Sequence, residues 1–431
     1  MATRSKKSDF FSSTSRARIL FLVLYVVANI YAYLTMVDIE RYVGDYSFSL
    51  NTKMPLLLIL LMVLFSYYVV CGPIYNFGIK IKASFPKMCS VNRLLYFGWS
   101  VLFLQILYFI YNFTTGSNYA GASNPEGVVR FLWLILPVDY IFYIYYVFAR
   151  TSKSKLVKFN LFIFALSQLS RGWLGWLLVF IYVELCFWLK RNDGNIRLKL
   201  KRFYIYILFI PVLGLFPLLV YLKVAMRDAL SLQDLSVLYG IINELDFNFV
   251  FLSFFDALFF RLQHFSNVVF VYDNLNIIRD FLQSDRVAMF YFEGLFPQLI
   301  SKLINITPGE DIHLFLYSYF VNDKYFTETT LQTGFVSWLF FDIGTSIIYL
   351  SYILLLIFSS IYLSKKTGSH EVQSLTWFFV FLYLMNGWFN AYLLYMQALI
   401  IVCFFLRVRS GISFNKAICE YRNENNETNR S

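Results

Sequence analysis

Charge is what this chain has least of. Only 15% of its 431 residues are charged and 59% are hydrophobic, where a soluble domain carries roughly a quarter charged residues. A soluble globular protein is therefore excluded. Cysteine is also scarce. Cys71, Cys89, Cys186, Cys403 and Cys419 all fall outside the stretches expected beyond the membrane, so no disulfide framework is implied. No Cys/His pair has metal-ligand spacing, and Glu244-x-Asp246 is not the Asp-x-Asp of metal-dependent sugar-nucleotide enzymes. No metal and no cofactor is expected. No small-residue cleavage site follows the first apolar run, which makes that run an uncleaved span rather than a signal peptide. An internal repeat, one mark of a transporter, is not visible.

What the chain has in abundance is apolar segments of about 20 residues, the length that crosses a bilayer as a helix. The mean hydropathy is +0.59. Aromatic residues make up 21% of the chain, with Tyr and Trp gathered near segment ends where amphipathic rings suit the interface. The expected fold is an all-α polytopic membrane protein with about ten transmembrane helices. One large extracytoplasmic loop is expected to carry short amphipathic helices. The net charge of +11 is no nucleic-acid signal, because most Lys and Arg lie in short loops between apolar segments, as topology requires.

Residues 1–16 form a basic tail with Arg4, Lys6, Lys7 and Arg16. Spans follow at 17–36, 55–75, 94–113 and 128–149. The loops 76–93 and 150–158 are basic and the alternate loops 37–54 and 114–127 are not, which places the N-terminus in the cytoplasm. Residues 159–189 are two apolar pieces split at Ser170-Arg171-Gly172, with basic clusters at both ends. Such a segment goes in and comes back as a short hairpin. Its first arm falls short of the roughly 20 residues of a full span, so Arg171 lies below the outer surface, inside the protein. A seventh span at 203–222 completes the first transmembrane block, 17–222, and opens a loop at 223–333. Within this loop 247–260 reads as an in-plane helix, and 287–304 as an amphipathic piece broken near Gly294 and Pro297. Helices eight to ten occupy 334–406, ending in a hairpin of 372–386 and 389–406, and a cytoplasmic tail covers 407–431.

A cation at membrane depth is costly and marks either a partner or a substrate path. For Arg171 the functional expectation is an anion contact, most naturally a lipid-borne diphosphate, with Ser170 and Gly172 keeping the tip small. The structural alternatives are snorkelling to headgroups or pairing with an internal carboxylate such as Asp342. The outer loop adds Arg227, Arg261, Arg279 and Arg286, an unusual density for an outside segment. Arg forks grip phosphate oxygens in pairs and do not lose their proton. Arg171, Arg227, Arg261 and Arg286 are the expected diphosphate contacts. Transfer of a sugar with inversion also needs a base. His264, Glu293, His313, Asp323 and Glu328 are the candidates, each with an ordinary solvated-loop role as the alternative. Asp342 either positions an Arg or caps a helix break at Gly344.

This arrangement resembles the bacterial Wzy-type oligosaccharide repeat-unit polymerases and, more distantly, the O-antigen ligases. Ser170-Arg171-Gly172-Trp173-Leu174 looks like the Ser-Arg-Gly tip common to both. Arg261 in FFRLQHFSN resembles the loop Arg of the polymerases. Glu293-Gly294-Leu295-Phe296-Pro297 looks like the Gly-x-x-Pro piece that follows it. Thr333-Gly334-Phe335 through Phe341-Asp342-Ile343-Gly344 is similar to their re-entry segment. Two positions depart from the patterns. Gln298 stands where the polymerases often have Arg, and Thr333-Gly334 where the ligases carry a His-Asn pair. The second departure favours polymerase over ligase.

The resemblance implies an inverting, metal-independent glycosyltransferase in the bacterial cytoplasmic membrane, with both termini cytoplasmic. Its substrates would be undecaprenyl-diphosphate-linked oligosaccharides as donor and acceptor, its product O-antigen or capsule. Arg171, Arg261, Glu293 and His313 form the expected catalytic set. Membrane lipids, a chain-length regulator and a flippase are the implied partners, and nucleic acid is not one. A polysaccharide flippase, an O-antigen ligase, and a transferase using a lipid-phosphate donor (with Asp38, Glu40 and Asp45 in its first outer loop) are the alternatives.

Overall fold

The computed structural model describes residues 14–44, 48–51, 55–81, 91–117, 128–152, 154–173, 175–191, 259–260, 262–294, 297, 301, 309–321 and 331–408. Arg227, Arg261, Gln298, Asp323, Glu328, the span at 203–222 and nearly all of 247–260 lie outside the described residues. Regular structure among the described residues is helical, apart from two isolated bridges, Arg41 with Ser49 and Val287 with Glu310.

Among the described residues five stretches are long and apolar enough to cross a bilayer, which makes this a multi-pass membrane protein. They are α1 (Ser15–Ile39), α2 (Leu56–Lys80), α3 (Val91–Thr115), the pair α4 (Val128–Ile135) and α5 (Val138–Ala149), and α11 (Ile343–Lys366). Their outer faces carry bare apolar side chains: Val23 and Leu34 on α1, Trp99 and Phe103 on α3, Ile343 and Ile347 on α11. Water would not tolerate so large a patch, and lipid does. Prolines set the irregularities. Pro137 has no N–H and disfavours helix at the residue before it, so α4 and α5 separate at Leu136. Pro73 sits in a wider π-turn, Val70–Ile74, within α2, where the Trp377 indole N–H donates to the Cys71 carbonyl at 2.8 Å.

The remaining α-helices among the described residues are α6 (Lys155–Ser170), α7 (Gly175–Arg191), α8 (Phe265–Asp273), α9 (Leu275–Gln283), α10 (Ile312–Leu316), α12 (His370–Phe379, prolonged by a π-turn to Leu384) and α13 (Phe389–Val408). The centre of the bundle is α12. Every residue from Val372 to Leu382 is buried, and α12 packs on α11, α5 and α7. One face of the bundle collects cations at helix ends. Lys365 on α11 donates to the Gly78 and Ile79 carbonyls at the end of α2, at 3.1 and 2.7 Å, a favourable place for a positive charge. On that face too, Lys190 of α7 pairs with Glu371 of α12 at 2.9 Å.

The segment after residue 259 does not stay at the surface. Asn29 lies near the middle of α1, and its side-chain oxygen accepts the backbone N–H groups of both His264 and Phe265 at 3.0 Å. The chain therefore enters the bundle at about half the height of α1, given the rise of about 1.5 Å per residue. From there α8 packs against α1, α2 and the 3₁₀ turn Phe335–Phe340. Asn29→Leu strands both N–H groups in an apolar setting, at roughly 1–3 kcal/mol each. We expect a clear fall in the thermal midpoint of detergent-purified protein, with Asn29→Asp, which keeps an acceptor, falling less. Equal midpoints for wild type and Asn29→Leu would remove this contact from the account.

Candidate functional site

Two buried polar clusters stand out. The first is built on the α6–α7 tip. Arg171 is 3% exposed. Its Nη2 donates to both carboxylate oxygens of Asp139 on α5, at 3.0 and 2.8 Å. Its Nε donates to the Ser167 carbonyl at 3.1 Å and its Nη1 to the Tyr108 hydroxyl of α3 at 3.3 Å. The guanidinium also lies 5.1 Å from the Tyr108 ring centre. Gly172 takes the left-handed conformation, φ 70°, that closes α6, and the Gly172 and Trp173 amides bond back to Leu169 and Gln168.

Of the two readings of Arg171, the structure shows the pairing with an internal carboxylate. Its charge is matched by Asp139 and its donors are largely spent on protein, so it braces the hairpin against α3 and α5. The internal carboxylate is Asp139 and not Asp342. Asp342 is exposed and caps α11, accepting from the Thr345 amide at 2.8 Å and its hydroxyl at 2.6 Å. Those two bonds hold its carboxyl below the usual range.

The second cluster is assembled from the loop. A parallel bridge ties the Arg286–Ala288 strip to Glu310, through Ala288 N–H to Glu310 carbonyl and Glu310 N–H to Arg286 carbonyl, both 2.8 Å. This bridge sets Glu293 opposite Asp311 and His313. Phe290, just before Glu293, packs its ring on Trp338, Tyr349 and Tyr352 at 5.0, 5.1 and 5.5 Å, which anchors the strip to α11. Gly294, at φ 89°, turns the chain beneath Leu393 of α13. Asp311 caps α10 by accepting the His313 N–H at 2.8 Å. The His313 ring Nδ1 contacts the Leu331 carbonyl at 2.6 Å, and the Leu331 N–H returns to the His313 carbonyl at 3.1 Å.

These contacts fix the imidazole so that Nε2 faces Glu293 Oε1 at 3.5 Å, with both side chains at least nineteen-twentieths buried. That separation is beyond the 2.7–3.2 Å of an ordinary N–H···O bond, and neither carboxylate oxygen of Glu293 makes a hydrogen bond of ordinary geometry, with His313 and the Asn390 backbone as its polar neighbours. Burial pushes the Glu293 carboxyl up to about 7, against the pull of His313. Burial opposes a charge on His313 as well, but the facing Glu293 carboxylate raises it overall.

Other expected residues fall elsewhere. Arg286 is exposed and lies over the Phe281 ring at 5.8 Å. Arg279 donates to the Phe341 carbonyl at 2.6 Å and lines a cleft of about 380 Å³ with Met289, Asp342 and Thr345. His264 is buried against the Tyr25 and Tyr67 rings. No hydrogen bond or ion pair among the described residues joins Arg171 to the Glu293–His313 pair.

Sequence reasoning missed Asp139, Asp311 and Asn29. Asp139 carried a usable signal, a carboxylate inside an apolar span two residues after Pro137. Nor did spacing show that Glu293, Asp311 and His313 converge, with one ligand-type atom of each within 4.8 Å of the others. Comparison with protein-family models, curated proteins and solved structures finds no match to this chain.

Proposed function

We propose that this chain is a membrane glycosyltransferase. It would join polyprenyl-diphosphate-linked oligosaccharide repeat units into surface polysaccharide at the outer face of the bacterial cytoplasmic membrane. The observation that carries this reading is the Glu293–His313 pair, a buried acid–base couple packed beside the starts of α11 and α13. Tyr349, which touches the same strip, lies about 9 Å along α11 from Ile343 at the helical rise per residue. A hydroxyl borne on a membrane-anchored lipid reaches that depth.

In the reaction, the acceptor hydroxyl oxygen bonds to the donor's anomeric carbon as the bond from that carbon to the diphosphate oxygen breaks. Glu293 takes the hydroxyl proton and polyprenyl diphosphate leaves with the bonding electrons. His313 faces the carboxylate at 3.5 Å, and Arg227 and Arg261 are assigned to the departing phosphates. Arg171 becomes a positioning residue acting through Asp139. Ten spans with both termini cytoplasmic complete the proposal. The basic face of the bundle, with Lys190 and Lys365, supports that orientation.

The test is polymer length in cells. Glu293→Gln and Arg261→Ala should each abolish long chains while single lipid-linked repeat units persist, with the protein still present in the membrane. Wild-type ladders in both variants would overturn the assignment. If the chain were a flippase, its loss would instead leave units on the inner face, which labelling with a membrane-impermeant lectin distinguishes.

A further inference from the structure

We propose that Glu293, Asp311 and His313 form a binding site for one divalent cation of the borderline class that accepts imidazole nitrogen and carboxylate oxygen together, with Zn²⁺ as the probe. Three features of the cluster point to an ion. The first is the donor set, one ring nitrogen and two carboxylates whose ligand-type atoms all lie within 4.8 Å of one another. Such a set suits Zn²⁺ or Mn²⁺ and leaves a coordination position open.

The second is orientation. His313 holds its Nδ1 on the Leu331 carbonyl at 2.6 Å, the backbone contact that typically fixes a metal-ligating imidazole and turns Nε2 toward the ion. The third is the gap between donors. Two ligands each about 2.1 Å from a tetrahedral ion stand about 3.4 Å apart, and Nε2 and Oε1 are 3.5 Å apart. A direct hydrogen bond would have drawn them closer. Glu293 is 3% exposed and neither of its oxygens makes a hydrogen bond of ordinary geometry, its polar neighbours being His313 and the Asn390 backbone, so a buried carboxyl is left under-satisfied in a way that a cation relieves. Asp311 is only half-buried, which gives the ion a way in from the loop side.

This site rests on the geometry of the cluster and stands whether or not the chain transfers sugars. If it does, an ion seated there occupies the carboxylate that transfer needs free, so Zn²⁺ inhibits.

The experiment uses the full chain in detergent, stripped with EDTA and titrated with ZnCl₂ by calorimetry and by thermal melt. One ion per chain is expected, with a raised midpoint. Glu293→Gln, Asp311→Asn and His313→Gln should each weaken binding at least tenfold, whereas His370→Gln, altering a histidine on α12, should not. Metal-free melts establish that each variant is folded, and Glu293→Asp, which keeps a carboxylate, should bind at intermediate strength. Stoichiometry and affinity unchanged in Glu293→Gln and His313→Gln would overturn the site, as would wild type that binds no Zn²⁺. Binding without inhibition of polymer formation would sink the transfer reading and leave the cation site intact.

Discussion

Arg171→Ala should give a protein that is poorly recovered from membranes and melts well below wild type. Replacing both partners, as in Arg171→Met with Asp139→Asn, should restore much of the loss. Removing one member of a buried ion pair typically costs about 3–5 kcal/mol, because the remaining charge is stranded. The Asp139 side chain is about a quarter exposed, at 24%, so water offsets part of this and the lower end of that range applies. Arg171→Lys should fall in between. A lysine keeps the charge but cannot reach the Asp139 oxygens, the Ser167 carbonyl and the Tyr108 hydroxyl together, and all three close the α6–α7 tip onto α3 and α5. Thermal melts of the four proteins decide the point. If Arg171→Ala melts with wild type yet makes no polymer, Arg171 acts on substrate directly and the bracing role fails.

The second large effect is expected at Gly387. Its φ of 77° lies in the left-handed region, which costs a non-glycine residue roughly 1–2 kcal/mol. A Cβ there would also sit 2.6 Å from Thr333 Oγ1 and 3.1 Å from the Gly334 amide nitrogen. Backbone cannot give way as a side-chain tip can, and overpacking of this kind costs about 1–3 kcal/mol more. The two segments are also bonded together. The Gly334 and Phe335 amides donate to the Asn386 and Met385 carbonyls, each at 3.1 Å. Gly387→Ala should therefore lose the sum of both costs. Gly116→Ala isolates the first, because Gly116 has φ 66° and open space where its Cβ would go. The difference between the two melting shifts measures the Gly387 contact, and no difference would mean that the turn relaxes freely.

What could be read in advance follows from the range of the interaction. Membrane spanning by α1, α2, α3 and α11 was legible because it depends on segment length and apolarity alone. The helical cap at Asp342 rests on Thr345 three residues on, a local pattern. By contrast, Arg171 and Asp139 are 32 residues apart, and only the fold of α5 against α6 joins them. The Glu293–His313 pair needs the Val287–Glu310 bridge and the Leu331 carbonyl, neither of which has a signature in composition or spacing. The depth reached by His264 was equally hidden. A segment classed as outer loop finds its acceptor on Asn29, a residue that α1 alone gives no reason to single out.

That last contact has a consequence for biosynthesis. Asn29 and the amide it receives are 235 residues apart in the chain, so α1 and α2 enter the bilayer while their partner is still unmade. Until translation delivers the later segment, the amide of Asn29 faces lipid or the translocon with its acceptor unused. The first helices of this protein thus reach their finished packing only after synthesis has passed the middle of the chain.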